Sequence, residues 1–193
     1  AEILVKPVSV YSKDEMIRFY FSLNRVILAV KQPTYRSFEN IESFRMKAFE
    51  YLDLLGVEYL SKIVLYKYNQ LEYQLVKSGS VTDVMKHVFS SSLMENMPTE
   101  DVLLGLSRWE KALSFNGDDE FESTFSIEYG FRKNSLVSDS DNDALTLKTQ
   151  IESGNVIIKR DDVMRVLSDF NQILYNGFHW CVTDDIVDEM KKL

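Results

Sequence analysis

His179 and Cys181 stand two residues apart in Phe178-His179-Trp180-Cys181-Val182, a spacing that on a β-strand puts imidazole and thiol on one face. Such a pair can act as base and nucleophile only beside an orienting third group and an oxyanion site, and neither is legible in the sequence. The simpler reading is a small buried thiol and a histidine at a sheet edge. Asp139-Ser140-Asp141-Asn142-Asp143 spaces oxygen ligands as the start of a calcium loop does. The pattern then fails: Ala144 stands where the turn needs Gly, and Gln150 where a bidentate Glu is needed. A solvated hairpin loop is the expectation. Carboxylates also cluster at Asp118-Asp119-Glu120, Asp161-Asp162 and Asp184-Asp185. A metal-dependent hydrolase or nuclease drawing on dispersed Asp and Glu with His87 or His179 is therefore one alternative function. The glycines never gather into a phosphate-cradling loop, and the G-x-S-x-G, H-E-x-x-H, C-x-x-C and P-loop signatures are absent. No catalytic, metal or cofactor residue is expected.

A surface that binds another protein needs less chemistry than an enzyme site, and Tyr59, Tyr66 and Tyr73 recur every seven residues. If residues 57–77 are helical, each Tyr lies only about 20° from the last, and the rings form a ridge. Tyr offers amphipathic contact area at low entropic cost, which suits a partner-binding surface; two-sided burial in a core is the competing reading. Asp118, Asp119, Asp139, Asp141 and Asp143 complete the candidate partner-binding set through long-range attraction for a basic protein.

Charge supports that division. The net charge is -8, residues 1–115 hold 14 Lys plus Arg against 14 Asp plus Glu, and residues 116–193 hold 8 against 16. An acidic chain without a Lys/Arg run repels nucleic acid at long range, which leaves a nucleic-acid-binding regulator as the second alternative. A single cysteine excludes an internal disulfide and Cys-rich zinc patterns, so a cytoplasmic or other intracellular compartment is expected. Met16 to Val30 is the most apolar stretch, but it is too short and too interrupted by Arg18 and Arg25 to span a membrane.

The elements that must position these residues follow from periodicity. Ile3 to Val5 reads as a strand, Ser12-Lys13-Asp14-Glu15 as a capping box opening a helix to about Lys31, and a second helix ends at Leu55 before a capping Gly56. A third runs from Val57 to about Lys77, a fourth carries Val81, Val84, Met85 and Val88, and a fifth carries Val102, Leu106, Trp109 and Leu113. Beyond Asn116-Gly117 the pattern changes. Phe121, Ser123, Phe125, Ile127, Tyr129 and Phe131 alternate with polar residues as a half-buried strand; Leu145 to Ile151 and Val156 to Ile158 complete a three-stranded meander. Glu128 and Lys148 are expected to face each other on its wet side. Val163, Val166, Leu167, Phe170, Ile173 and Leu174 make a covering helix ended by Asn176-Gly177, and Thr183 opens a last short one. The resulting expectation is an α+β protein: a helical bundle of about five helices over 1–115, packed with a small antiparallel sheet and covering helix over 116–193.

Overall fold

A computed structural model describes residues 7–22, 24–31, 37–71, 81–95, 106–115, 121–133, 143–155 and 157–190. Among these are five α-helices and nine strands in three sheets, so the content is α+β. The chain divides into two compact units, Ala1–Glu58 and Tyr59–Leu193.

In the first unit β1 (Val8–Tyr11), β2 (Ile17–Ser22) and β3 (Arg25–Val30) form an antiparallel meander. From Ser12 to about Lys31 a helix was expected. Ser12 and Asp14, the supposed capping pair, instead tie the turn into β2: the Ser12 hydroxyl donates to Asp14 and accepts the Ile17 amide, and the Asp14 carboxylate accepts the Met16 amide. Those bonds hold the Asp14 carboxyl below its ordinary pKa. Short polar side chains bond to nearby backbone in turns as readily as at helix starts, so the local signal was shared by both structures. Ile17 to Val30 does not decide either: it is rich in β-branched and aromatic residues, and its polar positions, Arg18, Ser22, Asn24 and Arg25, fit either period. After a 3-10 turn at Glu39–Ile41, α1 (Glu42–Leu54) packs Tyr51 against Phe21 with ring centroids 4.2 Å apart. It ends as expected. Gly56 takes φ +64°, its amide donates to the Asp53 carbonyl, and the Val57 amide donates to the Leu52 carbonyl. This is the paired pattern of a Schellman cap.

The second unit is built on a four-stranded antiparallel sheet in the order β5-β8-β7-β6. Its strands are β5 (Val64–Leu71), β6 (Leu106–Phe115), β7 (Phe121–Lys133) and β8 (Asp143–Ser153). A short ribbon pairs β4 (Tyr59–Leu60) with β9 (Ile158–Lys159). The expected third meander strand, Val156 to Ile158, is matched only at Ile158, and the observed strand pairs with β4 rather than β8. The inward set read in β7 holds: Ser123, Phe125, Ile127 and Tyr129 are buried, and their partners Ser153, Ile151, Thr149 and Leu147 on β8 are buried with them. On the other face Glu122 is exposed, Thr124 and Glu128 are half-buried, and Ser126 is buried as well.

The roof is α4 (Val163–Cys181), whose buried residues Val163, Val166, Phe170, Leu174, Gly177 and Cys181 recur at steps of three and four along one face. This helix runs four residues beyond its expected end at Gly177. The glycine is required there by packing, since a Cβ would come within 2.3 Å of the Phe125 ring. Two further helices, α2 (Val81–Val88) and α3 (Ser91–Met94), are fastened to the end of α4. The Ser90 amide donates to the Cys181 carbonyl, the Ser90 hydroxyl to the Trp180 carbonyl, and the Thr183 hydroxyl to the His87 carbonyl. Phe89, fully buried, meets Tyr129 edge-on at 5.3 Å, and α5 (Asp184–Met190) follows with Ile186 inward.

Thus no N-terminal helical bundle exists among the described residues. Of its five expected helices, the first is the β2-β3 hairpin, the third gives β4 and β5 over its described part, and the fifth gives β6. Tyr59 to Leu71 is misread for a reason that Val64, Tyr66 and Tyr68 make plain. They are exposed on one side, while Leu65, Lys67 and Asn69, partly buried, take the other, so the period is two.

Core polarity gives one testable consequence. Thr149 on β8 is fully buried, and its hydroxyl has no hydrogen-bond partner among the described residues. A buried hydroxyl without a partner costs roughly 1–3 kcal/mol of desolvation. Thr149→Val keeps the shape and removes that group, so it should raise the urea midpoint by an amount equivalent to about 1 kcal/mol. A lowered midpoint would show that the hydroxyl is satisfied in solution.

Candidate functional site

Antiparallel register puts paired residues on the same side of a sheet, so the outer face of the four-stranded sheet can be read row by row. One row is Tyr68, Lys148 and Glu128; the next is Tyr66, Gln150, Ser126 and Glu110; a third is Val64, Glu152, Thr124 and Ala112. This is the side away from α4. Tyr66 is 50% exposed, Tyr68 43% and Val64 43%, which is far more than aromatic and β-branched residues keep inside a core. Their strand stands at the sheet edge, and the alternating side chains project all three outward.

Charge is distributed in both signs around the two rings. The Lys148 amino group lies 5.5 Å from the Tyr66 ring centroid, within cation–π range. Lys62 pairs with Glu152 at 3.3 Å, and the Gln150 amide donates to the same carboxylate at 3.2 Å. Glu128 and Lys148 do occupy facing positions, as expected. The face is amphipathic and locally near neutral, with small Ser126 and Thr124 between the longer side chains of β5 and the exposed Glu110.

The remaining sequence candidates separate. Tyr59 is 55% exposed but belongs to the β4-β9 ribbon, so it forms no ridge with Tyr66. Tyr73, Asp118, Asp119, Asp139 and Asp141 lie outside the described residues. Asp143 begins β8 opposite Lys133. Sequence reasoning missed Tyr68 as a companion of Tyr66; the two-residue spacing from Val64 through Tyr66 was the signal.

His179 and Cys181 are not neighbours on a strand. Both lie on α4, where two residues advance about 200°, so their side chains diverge. His179 meets Tyr175 at a tilt of 57° with centroids 4.4 Å apart and Phe178 edge-on at 5.8 Å. Cys181 is fully buried, and burial pushes its thiol up to about 12, so it stays protonated. His87 is exposed on α2. Among the described residues no group of three or more His, Cys, Asp or Glu is arranged to hold a metal ion, and no helix is long and apolar enough to cross a membrane. No family model matches the chain, and neither a curated protein nor a solved structure matches it.

Proposed function

We propose that the chain is a non-enzymatic protein-binding module, of the inhibitor, immunity-like, assembly or regulatory kind, which docks its partner on the outer face of the four-stranded sheet. The observation that carries this reading is the pair Tyr66 and Tyr68, both about half exposed on one side of an edge strand. Two rings in neighbouring outward positions, with Lys148 against one of them and carboxylates around them, combine the aromatic anchors and polar rim of a protein interface. Residues 59–193 carry 14 Lys plus Arg against 22 Asp plus Glu, so the unit bearing this face has the whole net charge. That excess favours a basic partner, and Asp118, Asp119, Asp139, Asp141 and Asp143 contribute to it as steering charges. The free thiol of Cys181 fits a reducing intracellular compartment.

The test is Tyr66→Ser combined with Tyr68→Ser. A partner captured by the unaltered chain from its native extract should bind the double variant roughly 30-fold or more weakly, the loss expected of one aromatic hot spot, while the urea midpoint stays within about 0.5 kcal/mol. Undiminished capture would sink the proposal; a collapsed midpoint would assign the rings to the fold.

A further inference from the structure

The three strands of the first unit contain Arg18 and Arg25 and no Asp or Glu. Register places both arginines on one side: Arg18 pairs with Tyr11, Tyr20 pairs with Ser9, and Ser22 pairs with Arg25. Phe19 and Phe21 point to the opposite side, where Phe21 meets Tyr51 of α1. The arginine side is therefore the one that α1 leaves open. Ser9, Tyr11, Arg18 and Arg25 are exposed, with Tyr11 at 51%.

Charge in this unit is segregated rather than small. Residues 1–58 hold eight Lys plus Arg and eight Asp plus Glu. The described carboxylates are Asp14 and Glu15 in the turn before β2, Glu39, Glu42, Glu50 and Asp53 in or beside α1, and Glu58 after it. Asp14 is turned into its own loop by Ser12 and Met16. Arg18 lies over the Tyr11 ring at 5.1 Å and donates to the Ser9 hydroxyl at 3.3 Å; neither it nor Arg25 is ion-paired with a described carboxylate.

Two guanidinium groups with no carboxylate partner among the described residues, set beside tyrosine rings on an open antiparallel sheet, call for an anionic ligand that also has flat faces. Tyr11 and Tyr20 sit on diagonal positions of adjacent strands, roughly 7–8 Å apart at the backbone. Guanidinium planes and aromatic rings both stack on unpaired bases, and arginines also hold the phosphates between them. A duplex hides its base faces, and an acidic peptide does not match every charge with a ring as a single strand matches each phosphate with a base. The geometry points to single-stranded nucleic acid, RNA or DNA, as the ligand of this face, bound by base stacking on Tyr20 and on Arg18 over Tyr11, with Arg18 and Arg25 neutralising phosphates. The face belongs to a different sheet from the Tyr66 and Tyr68 surface of residues 59–193, where Lys62 and Lys148 are set against Glu152 and Glu128.

Fluorescence anisotropy of a labelled mixed-sequence octameric single-stranded RNA with the whole chain tests this between 50 and 200 mM salt. Saturable binding is expected, on the order of tenfold tighter than to the same sequence as a duplex. Arg18→Ala with Arg25→Ala should weaken binding at least about tenfold and flatten the slope of log affinity against log salt by about 1.4, the value for two single-strand phosphate contacts. Tyr20→Ala should weaken binding on the order of tenfold with the slope retained. Arg18→Lys with Arg25→Lys, which keeps charge, should retain the slope and lose affinity. Tyr66→Ser with Tyr68→Ser should change nothing. Far-UV circular dichroism confirms folding, and if Tyr20→Ala unfolds the unit, the two arginine pairs decide. No saturable binding, equal binding of duplex, indifference to the arginine changes, or displacement by polyglutamate as readily as by unlabelled RNA would each overturn the assignment, the last in favour of an acidic protein segment.

Discussion

Phe170→Ala should lower the stability of the second unit by about 3–5 kcal/mol, the range for removing a large buried aromatic side chain. Phe170 is fully buried at the middle of the α4 stripe, between Val166 and Leu174, which are buried to the same degree. Ile127 and Ile151, on neighbouring strands and on the sheet face that carries Phe125, are fully buried as well. The cavity cannot close easily. Gly177, two turns further along, already brings the helix backbone against the Phe125 ring, so α4 has no room to settle lower at that end. Both tryptophans, Trp109 and Trp180, belong to residues 59–193, so their fluorescence follows this unit during urea unfolding. With a slope of roughly 1–3 kcal/mol per molar urea, the midpoint should fall by about 1 M or more. A shift equivalent to less than about 1 kcal/mol would mean that α4 is not the main roof of the sheet.

That roof was legible in the sequence, and so was the strand beneath it, because each satisfies one period only. Phe125, Ile127 and Tyr129 alternate with Ser126 and Glu128, and no helical face contains them; Val163, Val166, Phe170 and Leu174 skip three and four, and no strand face does. Gly56 was legible from its place after a helical run. The N-terminal half carries no such exclusive pattern. Arg18 and Arg25 are seven apart, which suits one face of a helix, yet the pairing of Ser22 with Arg25 and of Arg18 with Ala29 brings them to one face of a sheet as well. Tertiary pairing, which local sequence does not encode, chose between the two. The candidate surface shows the same limit. Tyr66 was singled out for a helical recurrence with Tyr59 that does not exist, and it is exposed beside Tyr68 because β5 is an edge strand. Edge position depends on which strands meet, so neither the companion nor the outward face could be read from spacing to Tyr59 or Tyr73.

Cys181 gives the other large effect. Alkylation requires the thiolate, and in the native chain burial raises this thiol from its ordinary range near 9 to about 12. At pH 8 that shift alone reduces the thiolate population by about a thousandfold relative to an unfolded chain. Access adds to it, because the sulfur lies at the end of α4 where the Cys181 carbonyl accepts the Ser90 amide and Val182 pairs with Phe89. Iodoacetamide should therefore label the native chain at least about a thousandfold more slowly than the chain in urea. The sign of the linkage is fixed: a neutral buried thiol favours the folded state below pH 9, and that contribution is lost as the pH rises from about 9 through about 12. The labelling rate also reports the clamp itself. Ser90→Ala removes the hydroxyl bond to Trp180 while leaving the backbone bond, so it should speed labelling in proportion to its loss of stability if opening is global, and by more if the α3 segment opens alone. Native labelling within about tenfold of the unfolded rate would contradict burial of Cys181.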